Sequence, residues 1–297
     1  MPGGTTLRPG QAAWLMVVVT LMWSIAGVVT RHLEHARSFE VTFWRSLFTL
    51  LALLVILPAW QGIGVFRRMH WRSPYFWLSG LCWGVMFTAF MVALTITTVA
   101  NVLITMALGP LFTALITRIF IGHRLPGRTW FAILVAGAGI AWMYGTQVSL
   151  GAEGVLLGSL VALCVPISGA VQWTVTQRSQ SSGEKLDLVP CVLVGAAIST
   201  AITLPLALPF SATGGDMGLL ALLGVVQLAI PCVLSVICAR VLAAPEVSLL
   251  GLLEIIFGIA LAWFGAGEQP STNVLTGGTL VVGALAMNQV AGWRERA

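Results

Sequence analysis

The sequence has 297 residues, of which 58% are hydrophobic and only 8% are charged. A soluble domain carries about 25% charged residues, so this composition excludes an ordinary water-soluble fold and indicates a membrane protein. The formal net charge of +5 is small and dispersed, which argues against a nucleic-acid-binding protein.

Ten apolar segments follow one another along the chain, each long enough for a helix to cross a bilayer core about 30 Å thick. The predicted spans are 12–32, 39–60, 75–96, 99–119, 127–146, 152–177, 187–208, 217–239, 245–265 and 274–293. The first is too long for the core of a signal peptide, so we expect it to be retained. The sequence therefore predicts an all-α membrane protein with ten transmembrane helices.

The basic residues indicate how these helices are oriented. With both termini in the cytoplasm, 12 of the 15 Arg and Lys residues fall at cytoplasmic helix ends or loops. Only Arg31, Arg37 and Arg45 fall on the other side. The positive-inside rule predicts this bias, and a missed or extra helix would scramble it.

The ten predicted helices divide into two halves of five, residues 12–146 and 152–293. Because five is odd, the second half starts on the opposite side of the membrane and is inverted relative to the first. Two inverted repeats around a central cavity are typical of secondary transporters that work by alternating access. We therefore predict two repeats that together form a single transport domain.

Short motifs in both halves resemble the drug/metabolite transporter superfamily, in its branch of ten-helix exporters with two EamA-type repeats. The residues that carry the resemblance are Leu252-Leu253-Glu254, Phe257, Trp263, Gly267-Glu268 and Pro270 in the second half, and Leu108-Gly109-Pro110 and Gly122-His123 in the first. The sequence departs from the family pattern where Gly109-Pro110 and Glu254-Ile255 replace a Glu-Pro pair, and where Gly122-His123 replaces a Gly-Glu pair.

This resemblance implies export of small metabolites through a cavity lined by helices of both halves, in a bacterial cytoplasmic (inner) membrane. General similarity points to YddG-like exporters of amino acids, aromatic and hydrophobic ones first. The second hypothesis is efflux of drugs or quaternary cations, with the same fold. The expected partners are a small-molecule substrate and the lipid bilayer, with no nucleic acid and no cofactor, and the chain is expected to be a monomer or a homodimer.

Glu254 is the ionisable residue that stands out near the centre of a predicted span. Such a residue is a functional candidate by default. Glu254 could bind a substrate ammonium group or carry a coupling proton. Alternatively, it could be hydrogen-bonded within a helix contact that Gly251 and Gly258 make close. Arg45, about two turns into its span, is expected to snorkel outward or to pair with a helix end.

Several spans carry polar, small and aromatic residues at helical spacing, and these faces should point inward because polar groups are costly in lipid. Such residues either line a wet cavity or hydrogen-bond helices together. The set as a whole predicts a cavity with these candidate substrate-binding residues: Trp23, Thr88, Met91, Asn101, Thr105, Gln172, Trp173, Gln227, Gly251 and Glu254. Pro110, Pro166 and Pro231 lie inside spans, where a missing backbone hydrogen bond can create a hinge.

The sequence lacks the motifs that are typical of other classes of membrane protein. No HExxH motif, pair of intramembrane aspartates or Ser-His dyad suggests an enzyme, and no GxxxxGK[ST] loop suggests an ATP-driven pump. The five cysteines lie in apolar stretches without a CxxC pair, so we expect neither a metal site nor a disulfide framework.

Overall fold

The computed structural model describes residues 7–30, 32–36, 38–97, 99–122, 124–145, 155–181, 186–266 and 271–296. Within these residues the regular secondary structure is entirely helical, with no strand. This is the all-α architecture that the composition predicts.

The first half of the chain contains seven helical segments. These are α1 (Pro9–Thr30), α2 (Ser38–Gln61), α3 (Val65–Arg68), α4 (Pro74–Ile96), α5 (Val99–Met106), α6 (Gly109–Ile121) and α7 (Gly127–Tyr144). The predicted turn near Thr97 is confirmed, because α4 ends at Ile96 and α5 begins at Val99. The predicted fourth span is divided, because α5 and α6 are separate helices with Gly109-Pro110 at the start of the second.

The second half contains seven α-helices and one π-helix. These are α8 (Val155–Ser181), α9 (Pro190–Ala207), α10 (Gly214–Leu222), the π-helix Leu223–Ala229, α11 (Ile230–Cys238), α12 (Ala244–Gly251), α13 (Leu253–Ala266) and α14 (Thr272–Arg296). A capping box starts α10, since Thr213 and Asp216 each accept a hydrogen bond from the other's backbone N–H. The sequence analysis predicted neither the π-helix nor the break between α12 and α13.

Within the described residues, nine helices are long and apolar enough to cross a membrane. They coincide with nine of the ten predicted spans; the fifth predicted span coincides with the shorter apolar helix Gly127–Met143. The chain is therefore a multi-pass α-helical membrane protein.

Two hydrophobic clusters hold the helices together. The larger joins α1, α2, α4, α8, α9 and α11, and it continues into the connections at one end of the bundle through Val65, Met69, Leu188 and Leu242. The smaller joins α6, α7, α12, α13 and α14.

The α4–α9 contact depends on a glycine. A Cβ atom at Gly195 in α9 would overlap the Cβ atom of Trp83 and would lie 2.9 Å from the backbone nitrogen of Gly84. Small residues at helix contacts let membrane helices approach closely, so that dispersion contacts stabilise the pair. This close approach fixes the position of Trp83.

We predict that Gly195→Ala destabilises the protein by about 1–3 kcal/mol, because the added methyl group forces α4 and α9 apart. The matched control is Gly137→Ala, since a Cβ atom at Gly137 in α7 meets nothing within 4 Å. Thermal unfolding in detergent measures both variants. Equal transition midpoints for the two would contradict the predicted close contact.

Candidate substrate-binding cavity

A cavity of about 960 Å³ lies between the helices of the two halves. Its walls come from α1, α2, α4, α5 and α6 in the first half and from α8, the π-helix, α11, α12, α13 and α14 in the second. Ligand sites for small molecules have about this volume. The cavity is therefore large enough for a metabolite and belongs to both halves.

The lining is mostly apolar and carries two charged residues among the described positions, Arg45 and Glu254. Its aromatic members are Trp23, Trp83, Phe87, Phe90 and Trp173, and its methionines are Met16, Met86, Met91 and Met106. Such a surface favours a substrate with an apolar or aromatic body and a small number of polar groups.

Arg45 is held on α2 by contacts with α4 and the π-helix. Its Nη2 atom donates a hydrogen bond to the backbone oxygen of Phe87 at 3.2 Å. The Thr49 hydroxyl bonds the backbone oxygens of Arg45, at 2.8 Å, and of Gly224, at 2.9 Å. A Cβ atom at Gly224 would lie 2.8 Å from the backbone oxygen of Arg45, so a glycine is required for the π-helix to come this close to α2.

The structure corrects the expectation for Arg45. Its side chain is only 5% exposed and lines the cavity, so it neither snorkels to the membrane surface nor pairs with a helix end. The sequence suggested snorkelling because Arg45 lies about two turns from the start of α2. The nearness of the Phe87 carbonyl is a tertiary contact that the spacing along α2 does not reveal.

Glu254 is the second residue of α13 and directly follows the break at Leu252. Its half-buried side chain lines the cavity and makes no hydrogen bond to any described residue. Glu254 and Arg45 interact electrostatically, but no ion pair of 4.0 Å or less joins them in the described structure. A guanidinium group and a carboxyl group thus line the same cavity without a direct ion pair between them.

Three side chains that line the cavity each have a buried polar atom without a hydrogen-bond partner among the described residues. These atoms are Nε of Arg45, Nε1 of Trp83 and Oε1 of Gln227. The Gln227 side chain is oriented by its other amide atom, because Nε2 donates to the backbone oxygen of Trp23 at 3.2 Å. Buried polar atoms are nearly always paired, so three unpaired atoms around one cavity require an explanation.

Interrupted helices surround the same cavity. Gly109 and Pro110 at the start of α6, Gly251 and Leu252 at the α12–α13 break, and Gln227 in the π-helix all contribute to its lining. Irregular backbone is tolerated at membrane depth where it lines a cavity, and π-helical segments are frequent at functional sites. The interruptions therefore mark the same site as the charged residues.

Six of the ten predicted substrate-binding residues line the cavity: Trp23, Met91, Trp173, Gln227, Gly251 and Glu254. The other four do not, namely Thr88, Asn101, Thr105 and Gln172.

Those four side chains are hydrogen-bonded within the protein. Thr88 donates to Ser199 at 3.0 Å, Asn101 to Thr97 at 2.8 Å and Thr105 to the backbone oxygen of Asn101 at 2.7 Å. Gln172 accepts from Ser79 at 2.7 Å. Thr88 and Gln172 thus bond side chains of other helices, whereas Asn101 and Thr105 bond residues within one turn of the chain. A role of these four residues in substrate binding remains a prediction.

The three predicted hinge prolines occupy different settings. Pro110 begins α6 and lines the cavity, and Pro166 lies inside the continuous helix α8 and also lines it. Pro231 is buried, follows the π-helix at the start of α11 and is not part of the lining. Their roles as hinges remain predictions.

The cavity reaches one end of the bundle, which we call the open end. There it includes Thr30, Val99 and Ser271, of which Val99 is 58% exposed. None of the connections 62–73, 124–126, 186–189 and 239–243 at the other end contributes to the lining. We call that end the sealed end, because Val65, Leu188 and Leu242 are buried there.

Trp83 and Arg45 are the site residues that the sequence analysis missed. Trp83 is one of 12 tryptophans, and nothing in its local sequence distinguishes a cavity position from a lipid-facing one. The sequence feature that comes nearest to predicting a special role for Trp83 is the glycine at position 84, which indicates a tight helix contact beside it.

A comparison with protein families gives a match in the first half. Residues 10–145 match the EamA-like transporter family. This region runs from α1 to the end of α7, a little under half of the chain. A search of curated proteins found no match.

The whole chain has the fold of a solved protein. A crystal structure superposes with a TM-score of 0.81, covering 98% of this chain and 100% of its own. The two sequences are 18% identical, so the likeness concerns the fold alone. It extends the comparison beyond the matched residues 10–145 to both halves.

Proposed function

We propose that the whole chain is an EamA-like secondary transporter that exports amino acids, preferably aromatic and hydrophobic ones, by alternating access. The observation that carries the proposal is the cavity between the halves, with Arg45 and Glu254 on its otherwise apolar and aromatic wall. A free amino acid has one negative and one positive group beside a side chain, and this lining complements all three.

The helix packing supports two inverted repeats, 12–146 and 152–293, with ten spans in all. Exchange of α1 with α8, α2 with α9, α4 with α10–α11, α5–α6 with α12–α13 and α7 with α14 converts several of the observed contacts into other observed contacts. Under this exchange, the contact between α1 and α13 corresponds to the contact between α6 and α8, and the contact between α4 and α8 corresponds to that between α1 and α11. The α2–α9 and α7–α14 contacts each join two equivalent helices, so the exchange leaves them unchanged. The fourth and ninth predicted spans are also both interrupted, at Leu108 and at Leu252.

The distribution of charge favours amino acids over the second candidate, a multidrug or quaternary-cation transporter. Glu254 and the aromatic side chains alone would suit a lipophilic cation. Arg45, however, places a positive charge on the same wall, and a second positive charge in this apolar cavity is unfavourable for a ligand that carries only a cation. A zwitterion brings a carboxylate to balance Arg45.

The sealed end supports alternating access. Asp187, between α8 and α9, accepts hydrogen bonds from Gln61 Nε2 at 2.8 Å and from the backbone nitrogen of Val189 at 3.0 Å. It also forms an ion pair with Arg240, between α11 and α12. Gln61 ends α2, so Asp187 joins the first half to two connections of the second. Such a contact can open and close as the halves rock.

The proposed orientation places the sealed end in the cytoplasm of a bacterial inner membrane, with both termini on that side. Arg67, Arg68, Arg72, Arg124 and Arg240 lie in or next to the connections of that end, in keeping with the positive-inside rule. The open cavity then faces the exterior, where an exporter releases its substrate. Export as a monomer or homodimer is part of the proposal.

Counterflow of labelled phenylalanine into proteoliposomes tests the transport proposal. We expect saturable counterflow for the wild type, no counterflow of lipophilic cations, and a loss of at least about tenfold for Glu254→Gln, because a charged hydrogen bond to the ammonium group is removed. Glu34→Gln is the control, since Glu34 lies at the open end with its side chain 79% exposed. Movement of lipophilic cations without movement of amino acids would contradict the proposal.

Alternating access predicts that Asp187→Asn weakens the sealed end. We expect a cysteine at position 242, in a background without the five native cysteines, to react about five- to tenfold faster with a membrane-impermeant maleimide when Asp187 is changed. Arg68→Gln is the control, because Arg68 bonds only backbone oxygens of Gln61 and Gly64 in its own half. Unchanged labelling in Asp187→Asn would contradict a gate at this position.

A further inference from the structure

Resting on the transport function proposed above, we propose that the cavity has two polar subsites. Arg45 Nε and the indole N–H of Trp83 bind the carboxylate of the transported amino acid. Gln227 Oε1 and the Glu254 carboxylate bind its ammonium group. The proposal is carried by the buried polar atoms on the cavity wall that have no protein partner.

The two donors are buried on the wall that α2 and α4 form. Arg45 and Trp83 are 5% and 3% exposed, and neither Arg45 Nε nor Trp83 Nε1 has an acceptor in the described structure. Arg45 touches α4 at the carbonyl of Phe87, and Trp83 lies one helical turn before Phe87 on the same face. N–H donors from two packed helices, one of them charged, can form a site for a carboxylate.

Packing holds the Trp83 indole in one orientation. Its ring lies 5.6 Å from the ring of Phe87 and 5.8 Å from that of Trp173, with an interplanar angle of 86° to the latter. Gly195 lets the backbone of α9 close directly over the Cβ atom of Trp83. The N–H is therefore pre-oriented, which makes its hydrogen bond selective rather than adaptable.

The acceptors belong to the π-helix and to α13. Gln227 is 4% exposed, and the bond from its Nε2 atom to the Trp23 carbonyl leaves Oε1 as the free amide atom. Trp23 lies on α1, which packs against α13, the helix that carries Glu254. An ammonium group has three donors, so it can bond an amide oxygen and a carboxylate together.

The assignment of two donors to the carboxylate and of two acceptors to the ammonium group gives the site its selectivity. A ligand without a carboxylate leaves two buried donors unpaired, and a ligand without an ammonium group leaves the acceptors unpaired. A site built for a hydrogen-bonding group rejects the analogue that lacks it strongly, because the buried partner stays unpaired. The transporter should therefore require both groups of the amino acid.

Binding of three ligands to the purified full-length protein tests the assignment. Phenylalanine carries both groups, phenylalaninamide lacks the carboxylate, and 3-phenylpropionate lacks the ammonium group. We expect Trp83→Phe to weaken phenylalanine and 3-phenylpropionate about tenfold and to leave phenylalaninamide within about twofold of the wild type. Trp77→Phe is the matched control, because Trp77 lies on the same helix, outside the cavity, and bonds the Trp71 carbonyl.

A substitution in the ammonium subsite should affect the two analogues in the opposite way. We expect Gln227→Met to weaken phenylalanine and phenylalaninamide about tenfold and to leave 3-phenylpropionate nearly unchanged. The ratio of the affinities of two ligands, measured on one preparation of a variant, does not depend on the fraction of the protein that is folded.

If the wild type binds phenylalanine but both variants weaken all three ligands equally, the subsite assignment is overturned and the transport function stands. If the wild type binds none of the three, the proposed function falls and the subsites with it.

Discussion

The structure depends on one constraint: a polar atom within a membrane needs a partner inside the protein. Most hydroxyl groups meet it locally, as Thr20 and Ser24 do by donating to backbone oxygens of their own helix. Longer side chains meet it across helices, as Gln172 does with Ser79. The exceptions around the cavity, Arg45, Trp83 and Gln227, stand out against this background, and for that reason they carry the functional argument.

The same constraint explains why the backbone is irregular where it is. Breaks in α5–α6 and α12–α13 and the π-helix all border the cavity, where water or a ligand can meet backbone groups that lipid would leave unpaired. Close packing elsewhere brings these interruptions together. Gly224 brings the π-helix against the backbone of Arg45, and Gly195 brings α9 against Trp83. The contacts that pack the helices therefore also position the cavity residues. The hydrogen bonds and the ion pair of Asp187 close the bundle at the sealed end.

Much of this fold could be predicted from the sequence, because hydropathy and the distribution of Arg and Lys respond directly to the bilayer. Nine of the spans, the turn at Thr97 and the location of Glu254 within a span were accessible in this way. The break at Leu252 and the π-helix were not, because local composition there is as apolar as in a continuous helix. Pro110, in contrast, lies directly after the break at Leu108. Arg45 and Thr88 show the second limit: whether a polar side chain faces the cavity or another helix is set by tertiary contacts.

The central claim is that the unpaired polar atoms of the cavity bind the two charged groups of an amino acid. A structure of the protein with phenylalanine bound tests it most directly. The account predicts the carboxylate within hydrogen-bonding distance of Arg45 and Trp83, the ammonium group at Gln227 and Glu254, and the ring among the aromatic side chains. Phenylalanine bound away from these residues, or in the reverse orientation, would contradict it.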